Sequence, residues 1–98
     1  MNRDQVIAIL RSRKDELHAA GIAHLAVFGS VVRGENGPES DVDLAVDFCN
    51  PKLLSLLQFA DMQCLLSDVL GTQVDLAERQ YLKPEVRQNF EREKIVVY

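Results

Sequence analysis

Leu25 to Phe48 reads LAVFGSVVRGENGPESDVDLAVDF, and this stretch decides the fold. Two apolar runs flank a polar connection that opens on Gly29-Ser30 and closes on Asp41-Val42-Asp43. The first run, extended back to Ile22, is short and bounded by Gly21 and Gly29, the pattern of a buried strand. In the second, Val42, Leu44, Val46 and Phe48 alternate with Asp41, Asp43, Ala45 and Asp47. A period of two predicts a strand with one apolar face and one acidic face. Between them, Ser30 to Gly34 is expected to begin a short helix. Glu35 to Ser40, with Asn36-Gly37-Pro38, is expected to form a loop.

Working outward, residues 2–20 carry Val6, Ile9, Leu10, Leu17 and Ala20 between charged neighbours, which predicts one amphipathic helix. Asn2 or Asp4 is placed to cap its start and Gly21 to close it. Asn50-Pro51 is read as the start of a second long helix. Its stripe would be Leu53, Leu56, Leu57, Ala60, Leu65, Val69 and Leu70, with Gly71 at its end. Gln73 to Ala77 is expected to be a strand, Pro84 to about Glu93 a charged helix, and Ile95 to Tyr98 a last strand. The order α-β-α-β-α-β-α-β reads as one α/β or α+β sheet domain over residues 1–98.

A chain of 98 residues has room for one core. Its net charge of −4 and pI near 5.0 argue against broad attraction to nucleic acid, which needs clustered Lys and Arg. Cys49 and Cys64 lack metal-ligand spacing and read as two buried thiols of a cytoplasmic domain. The opening MNRDQVIAIL has no signal-peptide pattern, and no apolar run reaches the ~20 residues of a membrane span.

The chemistry concentrates in the central stretch. Gly29 lets backbone approach a ligand with no Cβ in the way, and Ser30 opens a helix whose N–H groups favour phosphate. A lone Gly-Ser pair occurs in many turns, so the carboxylates beside it carry the argument. On a strand, Asp41 and Asp43 point the same way with Cα atoms about 6.5–7 Å apart. Both can grip a hard cation such as Mg²⁺, which binds through a few carboxylates plus substrate phosphates. Two such ions would serve an in-line displacement on a nucleoside triphosphate. Asp75, between Val74 and Leu76, is the candidate third carboxylate, as a ligand or as a base for an attacking hydroxyl; the alternative is a polar residue on an exposed strand face. Asp47 lies about 13 Å along the strand from Asp43 and falls outside the site. Arg33 is placed to pair with a phosphate, or with Asp41 and Asp43 in an empty site, or to be a plain surface arginine. Ser40 is placed to cap or orient the aspartate strand. Asp61 and Asp68 read as the wet face of a helix, Glu78 as a loop charge, and His18 and His24 as structural or surface residues.

GSVVRGENGPESDVDL resembles the signature of the nucleotidyltransferase superfamily that includes DNA polymerase β. Arg33-Gly34, Ser40-Asp41 and the short length are similar to its smallest branch, the minimal nucleotidyltransferases (MNT), many of them antitoxins to HEPN-domain toxins. The resemblance covers nearly the whole chain, from the opening helix through Asp75 in QVDL to the closing KIVVY. It implies an α+β fold, a mixed sheet with helices mainly on one face. It also implies Mg²⁺-dependent transfer of AMP from ATP to a protein hydroxyl, a tyrosine on a partner toxin. Carried onto this chain, Gly29 and Ser30 would hold the triphosphate, with Arg33 and Ser40 beside them. Asp41 and Asp43 would bind Mg²⁺, and Asp75 would complete the site. Two other readings compete: a non-catalytic antitoxin that inhibits by complex formation, and a transferase acting on a small molecule or RNA. A homo- or hetero-oligomer is compatible with the sequence, and no membrane partner is expected.

Overall fold

The computed structural model describes residues 1–37 and 40–98; Pro38 and Glu39, within the expected loop, lie outside the described residues. β1 (Ile22–Phe28), β2 (Val42–Phe48), β3 (Val74–Glu78) and β4 (Ile95–Val96) form one mixed sheet in the order β3-β2-β1-β4. β1 runs antiparallel to both β2 and β4, whereas β2 and β3 are parallel. A parallel pair needs a long crossover, and α4 (Leu56–Leu70) supplies it.

One sheet face carries nearly all the core. Leu25, Val27, Leu44, Val46, Val74 and Leu76 meet Val6, Ile7 and Leu10 of α1 (Arg3–Ser12), Leu17 of α2 (Lys14–Ala19), and Leu66 and Leu70 of α4. On the other face the small side chains of Ala26 and Ala45 make room for Phe90 of α5 (Pro84–Glu93). Phe28 meets the Phe90 ring edge-on, with centroids 5.4 Å apart. Helices thus lie mainly on one face, and the acidic side of β2 shares the other with α5. Among the described residues no helix is long and apolar enough to cross a membrane.

The structure divides the two long helices expected from the sequence. The first breaks at Arg13 (φ −108°, ψ 14°), with the Ser12 hydroxyl donating back to the Ile9 carbonyl at 2.6 Å and so competing with the helical ladder. Its start is as expected: Asn2 caps α1, exchanging bonds of 2.9 Å with Gln5. In the second, Pro51 begins only a 3₁₀ turn to Leu53. The α-helix restarts at Ser55, whose hydroxyl accepts from the Gln58 N–H while the Gln58 side chain accepts from the Ser55 N–H. Leu53, Leu56 and Leu57 consequently point to solvent at 78%, 86% and 72% exposure rather than extending the apolar stripe.

Three smaller corrections follow. β3 begins one residue later than expected and ends on Glu78, which is therefore a strand residue. β4 is regular only over Ile95–Val96, although Val97 and Tyr98 still exchange backbone bonds with Leu25. Cys49 and Cys64 are free and exposed, not buried, because Cys49 follows the end of β2 and Cys64 sits on the outer side of α4.

Candidate active site

Phe28 pairs across the sheet with Asp43, so the chain leaves β1 beside the acidic end of β2. Gly29 makes the turn with φ +80°, and a Cβ there would stand 2.1 Å from Asp43 Oδ2. Two independent constraints therefore demand glycine: a positive φ and a carboxylate in the space a side chain would take. One helical turn follows, α3 (Ser30–Arg33), ended by Gly34 at φ +72°.

The parallel register sets Asp43 directly opposite Asp75, on strands that lie about 4.8 Å apart. Asp41 immediately precedes β2 and is exposed, as is Asp75, while Asp43 is half-buried. Burial first, then the charges of Asp75 and Asp41, push the Asp43 carboxyl up to about 6, and Arg33 partly opposes them. The three carboxylates expected to act together thus gather at the N-terminal end of the parallel β2/β3 pair, where Asp43 feels the charge of the other two. Among the described residues no three His, Cys, Asp or Glu side chains stand as a ready-made metal cage. An all-oxygen, incompletely closed donor set suits magnesium, which usually keeps waters and takes substrate phosphates as further ligands.

Arg33 does not pair with the aspartates. Its Nε donates to Glu35 Oε2 at 2.9 Å, and its Nη1 donates to both oxygens of Glu93 at 3.0 and 2.9 Å. Glu93 also accepts from the Gly29 N–H at 2.9 Å. Ser40 closes the loop rather than the strand: its hydroxyl accepts from the Gly37 N–H at 2.9 Å, and its N–H donates to the Gly37 carbonyl. Asp47 pairs with Arg79 at 2.9 Å, well apart from the carboxylate group, and both histidines are exposed.

Glu93 is the residue that sequence reasoning missed, since it reads as one more charge on a charged helix. Its position follows only from pairing. In the antiparallel register Val27 lies opposite Ile95, so residue 93, two before Ile95, arrives beside residue 29, two after Val27.

A family model for the nucleotidyltransferase domain matches residues 4–97. The protein adenylyltransferase MntA of Thermococcus cleftensis is 38% identical over 95 residues, covering 96% of this chain and 94% of that protein. A solved structure of a candidate minimal nucleotidyltransferase is 33% identical, with a TM-score of 0.70 over 97% of this chain and 95% of that one. A chain of the complex between tri-AMPylated Shewanella oneidensis HEPN toxin and MNT antitoxin superposes with a TM-score of 0.67. At 16% identity over 94% of this chain and 71% of that one, it speaks for the fold alone.

Proposed function

This chain belongs to the nucleotidyltransferase domain family, among its minimal members, and from that premise we propose that it is an antitoxin that transfers AMP from ATP to a tyrosine hydroxyl of a cognate HEPN-domain toxin in the cytoplasm. The observation that carries the reading is the parallel pairing of Asp43 with Asp75, beside Asp41 and against the Gly29-Ser30 turn. That arrangement gathers carboxylates and a Gly-Ser turn at one place, which supports a reading as hard-cation ligands beside phosphate donors.

In this reading Asp41, Asp43 and Asp75 would hold Mg²⁺, two ions when ATP is present. Bound magnesium would screen the triphosphate and steady the departing pyrophosphate. Ser30 and the opening N–H groups of α3 would donate to the phosphates, and Arg33 would pair with them through Nη2, since Glu35 and Glu93 take its Nε and Nη1. Gly29 serves through absence of a side chain, because its own N–H is already given to Glu93. The acceptor hydroxyl attacks the α-phosphorus, a new P–O bond forms and the bond to pyrophosphate breaks. Asp75, exposed at the strand edge, takes the hydroxyl proton. Ser40 would act at one remove, holding the loop that leads into Asp41.

The test combines the purified chain, the product of the adjacent gene, ATP and Mg²⁺, and records intact masses of both proteins. A partner mass raised by adenylyl units, lost in Asp41→Ala and Asp43→Ala, is expected. An unchanged partner mass within a tight complex would instead favour inhibition by complex formation.

A further inference from the structure

We propose that Glu93 is a positioning residue for the nucleotide site: it acts through Arg33, holding the guanidinium where it meets the phosphates. The inference rests on the transferase reading above and adds a residue from the opposite end of the chain. Glu93 is the last residue of α5, and its side chain is only 16% exposed although charged. Both of its carboxylate oxygens accept hydrogen bonds. One oxygen accepts from both the Gly29 N–H and Arg33 Nη1, and the other accepts from Arg33 Nη1.

The bond to Gly29 anchors the carboxylate against backbone, and the anchored carboxylate fixes Arg33. Without the first contact, the second would be a mobile surface pair of little consequence. Glu35 also holds Arg33, through Nε at 2.9 Å, but at 64% exposure it is the more solvent-screened of the two carboxylates. A guanidinium has five N–H donors in a rigid plane. Glu35 engages Nε and Glu93 engages Nη1, and neither engages Nη2. Among the described residues no acceptor is bonded to Nη2, whose N–H groups remain for an anion. Glu93 thus links the arginine to the turn, which itself lies against Asp43.

A carboxylate in this place has two rival roles. As a mere staple for α5 it would affect stability and not nucleotide affinity. As an internal stand-in for phosphate it would compete with the triphosphate, and its removal would tighten binding. The experiment measures the Kd of the full chain for the non-hydrolysable analogue AMP-PNP with Mg²⁺ by calorimetry. It uses wild type, Glu93→Gln, Arg33→Ala and the double variant, with thermal unfolding of each. Glu93→Gln keeps the shape and an acceptor for Gly29 but loses the charge that holds Arg33. The expected result is a loss of about ten-fold for Glu93→Gln, since charge-assisted bonds are roughly twice as strong as neutral ones. A larger loss is expected for Arg33→Ala, with the double variant within about two-fold of Arg33→Ala, because residues acting as a unit are not additive.

Unchanged or tighter binding in Glu93→Gln, or losses that multiply in the double variant, would overturn the proposal and leave the transferase reading standing. Failure of wild type to bind the analogue would overturn both. If Glu93→Gln does not fold, Arg33→Lys carries the test. It keeps the charge and loses the fork, so several-fold weaker binding is expected and wild-type affinity would refute the role.

Discussion

Gly29 and Gly34 share a positive φ, at +80° and +72°, but only Gly29 is crowded, with Asp43 Oδ2 2.1 Å from where a Cβ would stand. Around Gly34 a Cβ would meet nothing within 4 Å. Gly34→Ala should therefore lose about 1 kcal/mol from backbone strain alone. Gly29→Ala should lose clearly more, about 2–4 kcal/mol, and displace the Asp43 carboxylate as well. Urea unfolding of both variants measures the difference, and equal losses would show that Asp43 yields without cost. Asp43 itself makes stability depend on pH. Its folded value, about 6 against an ordinary 3.8, means that the native state holds this proton more tightly than the unfolded chain does. Stability of the metal-free protein from this group is therefore full below about 4, falls as pH rises towards about 6, and levels off above. Asp43→Asn should abolish that slope and stabilise the protein at pH 7.5 by about 1–2 kcal/mol after solvent screening. Because a cation must displace the same proton, apparent Mg²⁺ affinity should climb between pH 5 and 7 and then plateau. Thermal melts and Mg²⁺ titrations across that range check both.

At the level of elements, the start of α4 separates apolar character from burial. Leu56 and Leu57 project into solvent, so Leu56→Gln and Leu57→Gln should each change stability by less than about 0.5 kcal/mol. Ser55→Ala, which removes a hydroxyl from a surface residue, should cost about 1 kcal/mol through the lost capping box. Leu66→Ala, at a fully buried position on the inner face of the same helix, should cost about 2–5 kcal/mol. Chemical denaturation of the four variants should rank them in that order, which follows burial and capping rather than the apolar character of the side chain. The strands around the motif were legible because period-two alternation and flanking glycines mark them directly. The Ser55-Leu56-Leu57-Gln58 cap was also written in the chain, but Pro51 offered an equally good helix start four residues earlier. Arg13 carries no such mark: the break there shows only in the dihedrals and in the Ser12 hydroxyl.

At the scale of the molecule, stability and chemistry lie on opposite faces of one sheet. Three helices cover the first face, and the second, which carries Asp43, depends on α5 held through Phe90. The candidate aspartates and the Gly-Ser turn were legible because one contiguous stretch contains all but Asp75. Arg33's partner was not, since the contact spans 60 residues and exists only once β4 has paired with β1. That dependence makes Phe90 a remote control on the site. Phe90→Leu should cost about 1–2 kcal/mol, keep the fold, and let the end of α5 shift against Gly29. Nucleotide affinity should then weaken several-fold, because Glu93 and Arg33 ride on that helix end. Leu66→Val, on the opposite face, should cost a similar amount and leave the Kd of the folded protein for AMP-PNP unchanged. Calorimetry on the two variants, at a temperature where thermal melts show both fully folded, separates the faces. Equal affinity in the pair would mean that α5 is only cladding, whereas a loss confined to Phe90→Leu would mean that its packing sets the geometry of the phosphate seat.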